Sequence, residues 1–81
     1  MIHKKIPTNV TIIVPTYNES ESIESLIKQL SHYLNKLNLT YHILVMDDQS
    51  TDDTANKVSQ LDTRYHASVV VRKKHAHYLG L

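Results

Sequence analysis

The residues of this 81-residue chain that could do chemistry fall into three short clusters. They are Pro15-Thr16-Tyr17-Asn18-Glu19, Asp47-Asp48-Gln49-Ser50 and Arg72-Lys73-Lys74. The first offers an aromatic ring and a carboxylate, the second two carboxylates, the third a guanidinium beside two ammonium groups. A tyrosine ring packs on a base or a ribose. A carboxylate accepts hydrogen bonds from ribose hydroxyls or a base N–H, and a cation meets a diphosphate. Brought together, these groups suit a nucleotide. Each also has a plainer use. A tyrosine after a strand commonly packs, paired aspartates such as Asp52 and Asp53 commonly cap a helix, and an Arg-Lys-Lys run is commonly a solvated loop.

What favours the first use is position, because each cluster directly follows an apolar run. Val10-Thr11-Ile12-Ile13-Val14 is β-branched throughout and reads as a strand buried on both faces, ended by Pro15. Tyr41-His42-Ile43-Leu44-Val45-Met46 reads as a second strand and Ala67-Ser68-Val69-Val70-Val71 as a third. Between the first two, Ile23, Leu26, Ile27, Leu30, Leu34 and Leu37 make one helical stripe ending near Asn38. Asn18, with Glu21 three residues on, reads as its N-cap and capping box. A shorter helix carrying Ala55, Val58 and Leu61 on one side follows the second strand. The order strand, helix, strand, helix, strand predicts an α/β fold, a βαβαβ unit with a parallel sheet. Ligands of such sheets bind at the carboxyl ends of the strands, where the three clusters sit.

Composition narrows the classes. A net charge of +1 gives no domain-wide basic field, so nucleic acid is not an expected partner. Gly80 is the sole glycine, which leaves no glycine-rich dinucleotide loop, no P-loop and no hydrolase elbow. Cysteine is absent, so no disulfide staples a core that is thin at this length. The basic start has no apolar run of signal-peptide length behind it, and no stretch approaches a membrane span. These features lead to the expectation of a cytoplasmic setting. His75-x-His77 supplies two metal ligands at most, a weak signal, and no metal site is expected within the chain.

Two segments taken together resemble a known family. Val10-Thr11-Ile12-Ile13-Val14-Pro15-Thr16-Tyr17-Asn18-Glu19 looks like the opening strand of the family 2 glycosyltransferases. Asp47-Asp48-Gln49-Ser50-Thr51-Asp52-Asp53-Thr54 looks like their acidic motif after the second strand, at a fitting distance. The wording of the first is most similar to the branch that moves a hexose onto a polyprenyl phosphate, the dolichol-phosphate mannose synthases among them. The resemblance covers roughly residues 9–72 and implies that residues 1–81 are the N-terminal, nucleotide-sugar-binding part of a GT-A domain, the half with the Rossmann-like parallel sheet. It implies a GDP- or UDP-sugar donor, an inverting transfer and a polyprenyl-phosphate acceptor, hence a place at the cytoplasmic face of a membrane. By carry-over, Pro15 and Tyr17 flank the base, Glu19 binds the ribose, Asp48 accepts a base N–H and Arg72 approaches the nucleotide. Asp47 belongs to the same binding motif and, with Asp52 and Thr54, mainly shapes the turn. Gln49 departs from the family's more usual asparagine, Asp53 from a frequent glycine, and the match beyond Arg72 is loose.

The resemblance also implies what this stretch lacks. The family's metal-binding Asp-x-Asp motif lies on a later strand, and no Asp-x-Asp occurs here. Mg²⁺ or Mn²⁺ is expected for the full domain, and the catalytic residues are expected beyond residue 81. Residues 10–14 would pair with a later strand; without it they form an exposed apolar edge that invites self-association. Two other readings compete. A non-catalytic nucleotide-binding or interaction remnant of a glycosyltransferase would carry the same motifs. A signalling receiver would share the acidic pair at Asp47-Asp48, but needs a phospho-acceptor aspartate on a later strand, and no aspartate follows Asp62.

Overall fold

The computed structural model describes residues 9–72. Lys73, Lys74, His75 and His77, and the basic start of the chain, lie outside the described residues. In chain order the elements are β1 (Asn9–Thr16), α1 (Ile23–Lys36), β2 (Thr40–Asp47), α2 (Thr54–Ser59) and β3 (Ala67–Val71), with a short 3₁₀ turn at Thr63–Tyr65. The strands form one parallel sheet in the order β1-β2-β3. This is the expected βαβαβ unit, the Rossmann-like half of an α/β domain.

Register decides which side chains meet the helices. Val10, Ile12 and Val14 align with Tyr41, Ile43 and Val45, and the latter two with Ala67 and Val69. These residues share the face onto which Ile23, Ile27 and Leu34 of α1 and Val58 of α2 pack. Fully burying one such aliphatic side chain stabilises by roughly 1.5–3 kcal/mol. The core is therefore a single layer between one sheet face and two helices. Ser31 lies in the α1 stripe between Ile27 and Leu34 and is buried, its hydroxyl hydrogen-bonded to the Tyr41 hydroxyl. That bond makes a polar residue acceptable there.

The opposite face carries Thr11, Ile13, Pro15, Leu44, Met46 and Val70, with a His42 Nε2–Ser68 Oγ hydrogen bond of 2.8 Å. Ile13 is 61% exposed. The expectation that β1 is buried on both faces is thus corrected, since described elements cover only one. The expected stop at Pro15 is corrected too, for β1 runs on to Thr16. The Asp48 N–H donates to the Thr16 carbonyl at 2.9 Å, so Thr16 faces β2 and Pro15 faces the outer edge. There a missing N–H costs no ladder bond. No strand pairs with that edge of β1 among the described residues.

The helix after β1 begins later than its capping signal predicts. α1 starts at Ile23 with Ser22 as N-cap, not Asn18. Residues 19–22 first make a turn in which the Glu19 carbonyl accepts from the N–H groups of Ser22 and Ile23, at 3.0 and 2.9 Å. The helix ends as expected, with Leu37 as C-cap and Asn38 left-handed at φ 57°. No helix among the described residues is long and apolar enough to cross a membrane.

Candidate functional site

The last residues of β1 and β2 are a register pair, Thr16 and Asp47, and both point into the covered face. Asp47 is 1% exposed. Its carboxylate accepts the Thr16 hydroxyl at 2.7 Å, the Ser50 N–H at 2.9 Å and the Ser50 hydroxyl. Burial pushes this carboxyl up, but the bonds from Ser50 and Thr16 outweigh it and hold it below its ordinary value. Asp47 therefore stands as an anion at the root of the site, its oxygens turned towards the protein.

One residue further on, the strand alternation turns outward. Tyr17 is 57% exposed, and Asp48 is exposed. Asp48 forms an ion pair with Arg72, Oδ1 to Nη2 at 3.2 Å, across the end of β3. The Arg72 N–H donates to the Asp47 carbonyl at 2.7 Å, which fixes where the guanidinium leaves the sheet. Glu19 is exposed; its N–H donates to the Thr54 hydroxyl at 2.9 Å, and its own carboxylate accepts from Ser22 at 3.3 Å. Pro15 lies on the open sheet face beneath Tyr17 in sequence, also exposed. The sequence-predicted residues thus gather at one end of the sheet. Asp48 and Arg72 touch, and Asp47 lies inside while the other five are reachable from solvent or partly so.

Two further residues past the strand ends matter, and sequence reasoning gave them other roles. Asn18 is left-handed at φ 52° and Gln49 at φ 59°. The Asn18 side-chain oxygen accepts the Thr51 N–H at 2.8 Å, the Asp52 N–H at 3.3 Å and the Thr51 hydroxyl at 3.3 Å. Its own N–H donates to the Ser50 hydroxyl at 2.8 Å. A left-handed position suits asparagine among non-glycine residues, and an asparagine two residues past a strand end is the sequence signal that could have found it.

The second loop closes on itself and on the first. Asp52 accepts from the Thr54 hydroxyl, from the Thr54 N–H at 3.0 Å and from the Ser20 N–H at 3.1 Å. The Thr54 hydroxyl above all holds its carboxyl down at about 2, with the Thr54 and Ser20 N–H groups assisting against an opposing effect of burial. Lys57 Nζ donates to the Ser20 carbonyl at 2.8 Å, tying α2 to the first loop.

No three His, Cys, Asp or Glu side chains among the described residues are placed to hold a metal ion. Asp47 and Asp52 each accept three hydrogen bonds from the protein, and the Asp-x-Asp motif expected to hold the divalent cation is not among the described residues. A hollow on the outer side of α1, lined by Glu24, Lys28, His32 and Tyr33 among others, contains none of the strand-end residues. It is a row of solvated helix side chains with a Glu24–Lys28 pair at 3.0 Å.

Comparisons with known proteins bear on the family of the chain. A dolichol-phosphate mannosyltransferase of Pyrococcus furiosus is 42% identical over 65 residues, covering 80% of this chain. The chain spans only 18% of that relative's length. Residues 11–80 match the profile described as glycosyl transferase family 2, a stretch containing both loops and all three strand ends. The chain belongs to glycosyl transferase family 2.

Proposed function

We propose that these strand ends bind the nucleotide of a nucleoside-diphosphate sugar, GDP-mannose or UDP-glucose in type. The whole protein of which they form part would move the hexose onto an acceptor, a polyprenyl phosphate. One observation carries the reading: an exposed tyrosine, an exposed carboxylate and a guanidinium stand together at the carboxyl end of a parallel sheet. Tyr17, with Pro15 below it, packs on the base, and Asp48 accepts a base N–H. Glu19 takes the ribose hydroxyls, and Arg72 approaches from the third strand. Asp47 contributes from beneath by fixing the turn that presents Asp48. The family and the mannosyltransferase relative support glycosyl transfer as the chemistry. The Mg²⁺ or Mn²⁺ of such a transfer, and its catalytic residues, would come from outside this stretch. At the cytoplasmic face of a membrane the same edge would meet a lipid-borne acceptor.

Calorimetric titration of the 81-residue chain with GDP, UDP, ADP and their sugar conjugates, with and without Mn²⁺, tests this reading. Binding of GDP or UDP in preference to ADP, lost in Asp48→Ala, is the expected result. A folded chain that binds none of them overturns the reading that this stretch suffices to hold the nucleotide, and leaves it a transferase fragment by descent only.

A further inference from the structure

Tyr17 and Asp48 leave the sheet from different strands, so something must set the distance between them. The register pair Thr16–Asp47 fixes their starting points. Beyond it, the Glu19 and Ser20 N–H groups donate to the Thr54 and Asp52 side chains and Lys57 donates to the Ser20 carbonyl, while nearest the strand ends the two loops are joined through Asn18. Its side-chain oxygen takes two consecutive backbone N–H groups of the second loop, Thr51 and Asp52, while its N–H reaches the Ser50 hydroxyl. Ser50 in turn donates to the buried Asp47. A continuous path therefore runs from the strand-end carboxylate through Ser50 to Asn18 and back to the backbone just after Asp48. The residue between Thr16 and Asn18 is Tyr17, and the residue between Asp47 and Gln49 is Asp48. Both candidate ligand-binding side chains sit on the short arcs that this path closes.

We propose that Asn18 is a positioning residue: by accepting the Thr51 and Asp52 N–H groups it holds the loops after β1 and β2 as one rigid unit, and so sets the affinity for the nucleotide. The inference rests on the nucleotide reading above. Two properties of asparagine are needed, tolerance of φ near 52° and an acceptor at that reach. Asp keeps both; Gly keeps the first and lacks the second.

The test uses Asn18→Gly and Asn18→Asp in the 81-residue chain, read by amide hydrogen exchange and by titration with the nucleoside diphosphate that the wild type binds. In Asn18→Gly, the Thr51 and Asp52 amides should lose about tenfold in protection, and nucleotide affinity should weaken about tenfold. In Asn18→Asp both should stay within about threefold of wild type. A second measurement does not depend on how well the glycine variant folds. In Asn18→Asp the Thr51 and Asp52 amide resonances should move together as the introduced carboxyl titrates. Unchanged protection in Asn18→Gly, or amide resonances indifferent to that titration, overturns the clamp. Lost protection with unchanged affinity overturns the link to binding. A wild-type chain that binds no nucleotide overturns the nucleotide reading and the positioning role with it, while the amide data still report on the clamp.

Discussion

The loops after β1 and β2 follow one plan with different residues. Each begins with an inward member of a register pair, Thr16 or Asp47. Each continues with an exposed residue, Tyr17 or Asp48, and then with a left-handed one, Asn18 or Gln49. Parallel strands in register make the first three positions geometrically equivalent, so the differences are chemical. At the first position a hydroxyl donates to a carboxylate. At the second an aromatic ring faces a charge. At the third, Asn18 reaches across to the partner loop, whereas among the described residues the Gln49 side chain makes no equivalent bond. The inner positions hold the loops together and the middle positions are exposed, so on the proposed nucleotide reading stability and recognition should respond to different substitutions.

The largest expected effect is at Asp47. Asp47→Ala removes the acceptor of the Thr16 hydroxyl, the Ser50 N–H and the Ser50 hydroxyl in a buried place. Leaving such donors unsatisfied costs about 1–3 kcal/mol, a large share of what a small domain has. Urea denaturation measures it, and Asp47→Asn, which keeps one acceptor oxygen, should lose less. The pH dependence has a definite sign. The folded carboxyl lies below its ordinary value of 3.8, so its contribution is present above that pH and is lost as pH falls through the folded value. Wild-type stability should therefore drop below about pH 4 more steeply than that of Asp47→Asn. Asp52, held at about 2, should stay charged until the pH approaches that value, which its carboxyl carbon shift reports.

An exchange at the third position comes next in size. Gln49 occupies a left-handed conformation that asparagine tolerates better. Gln49→Asn should stabilise by about 0.5 kcal/mol, with no new contact. Asn18→Gln should instead cost about 1 kcal/mol, because it loses the backbone preference and its extra methylene displaces the amide oxygen from the Thr51 and Asp52 N–H groups. Equal and opposite small changes would mean that the two loops differ only in backbone preference, and that the crossing bonds add nothing.

What the sequence revealed of this arrangement follows a physical divide between local and distant causes. The strands, the α1 stripe and β3 at residues 67–71 were legible because burial imposes a period on neighbouring residues. The convergence of Tyr17, Glu19, Asp48 and Arg72 was legible because parallel strands place their carboxyl ends together. Asn18 was misread as a helix cap because the capping rule is local: an asparagine followed by Glu21 fits it, while the true partners lie 33 and 34 residues away. Ser31 was invisible for a similar reason, its justification being the Tyr41 hydroxyl on another element. Pro15 looked like a strand terminator until the sheet placed it facing an edge. The apolar run of β1 announces burial on both faces, and the described elements supply cover for one.

The smallest expected change in stability falls at the middle positions, where the effect on binding should be greatest. Tyr17 is mostly exposed and Asp48 makes one solvent-facing ion pair with Arg72. Such pairs contribute about 0–1 kcal/mol, and less when both partners are screened by water, as these are. Exposed substitutions away from caps and cores generally stay within about 0.5 kcal/mol. Tyr17→Ala and Asp48→Ala should accordingly leave the urea midpoint close to wild type while abolishing the nucleotide heat in calorimetry. That combination distinguishes a residue kept for a ligand from one kept for the fold. If either variant instead lost as much stability as Asp47→Ala, the exposed pair would be holding the loops itself, and the division between inner and middle positions would fail at its most direct point.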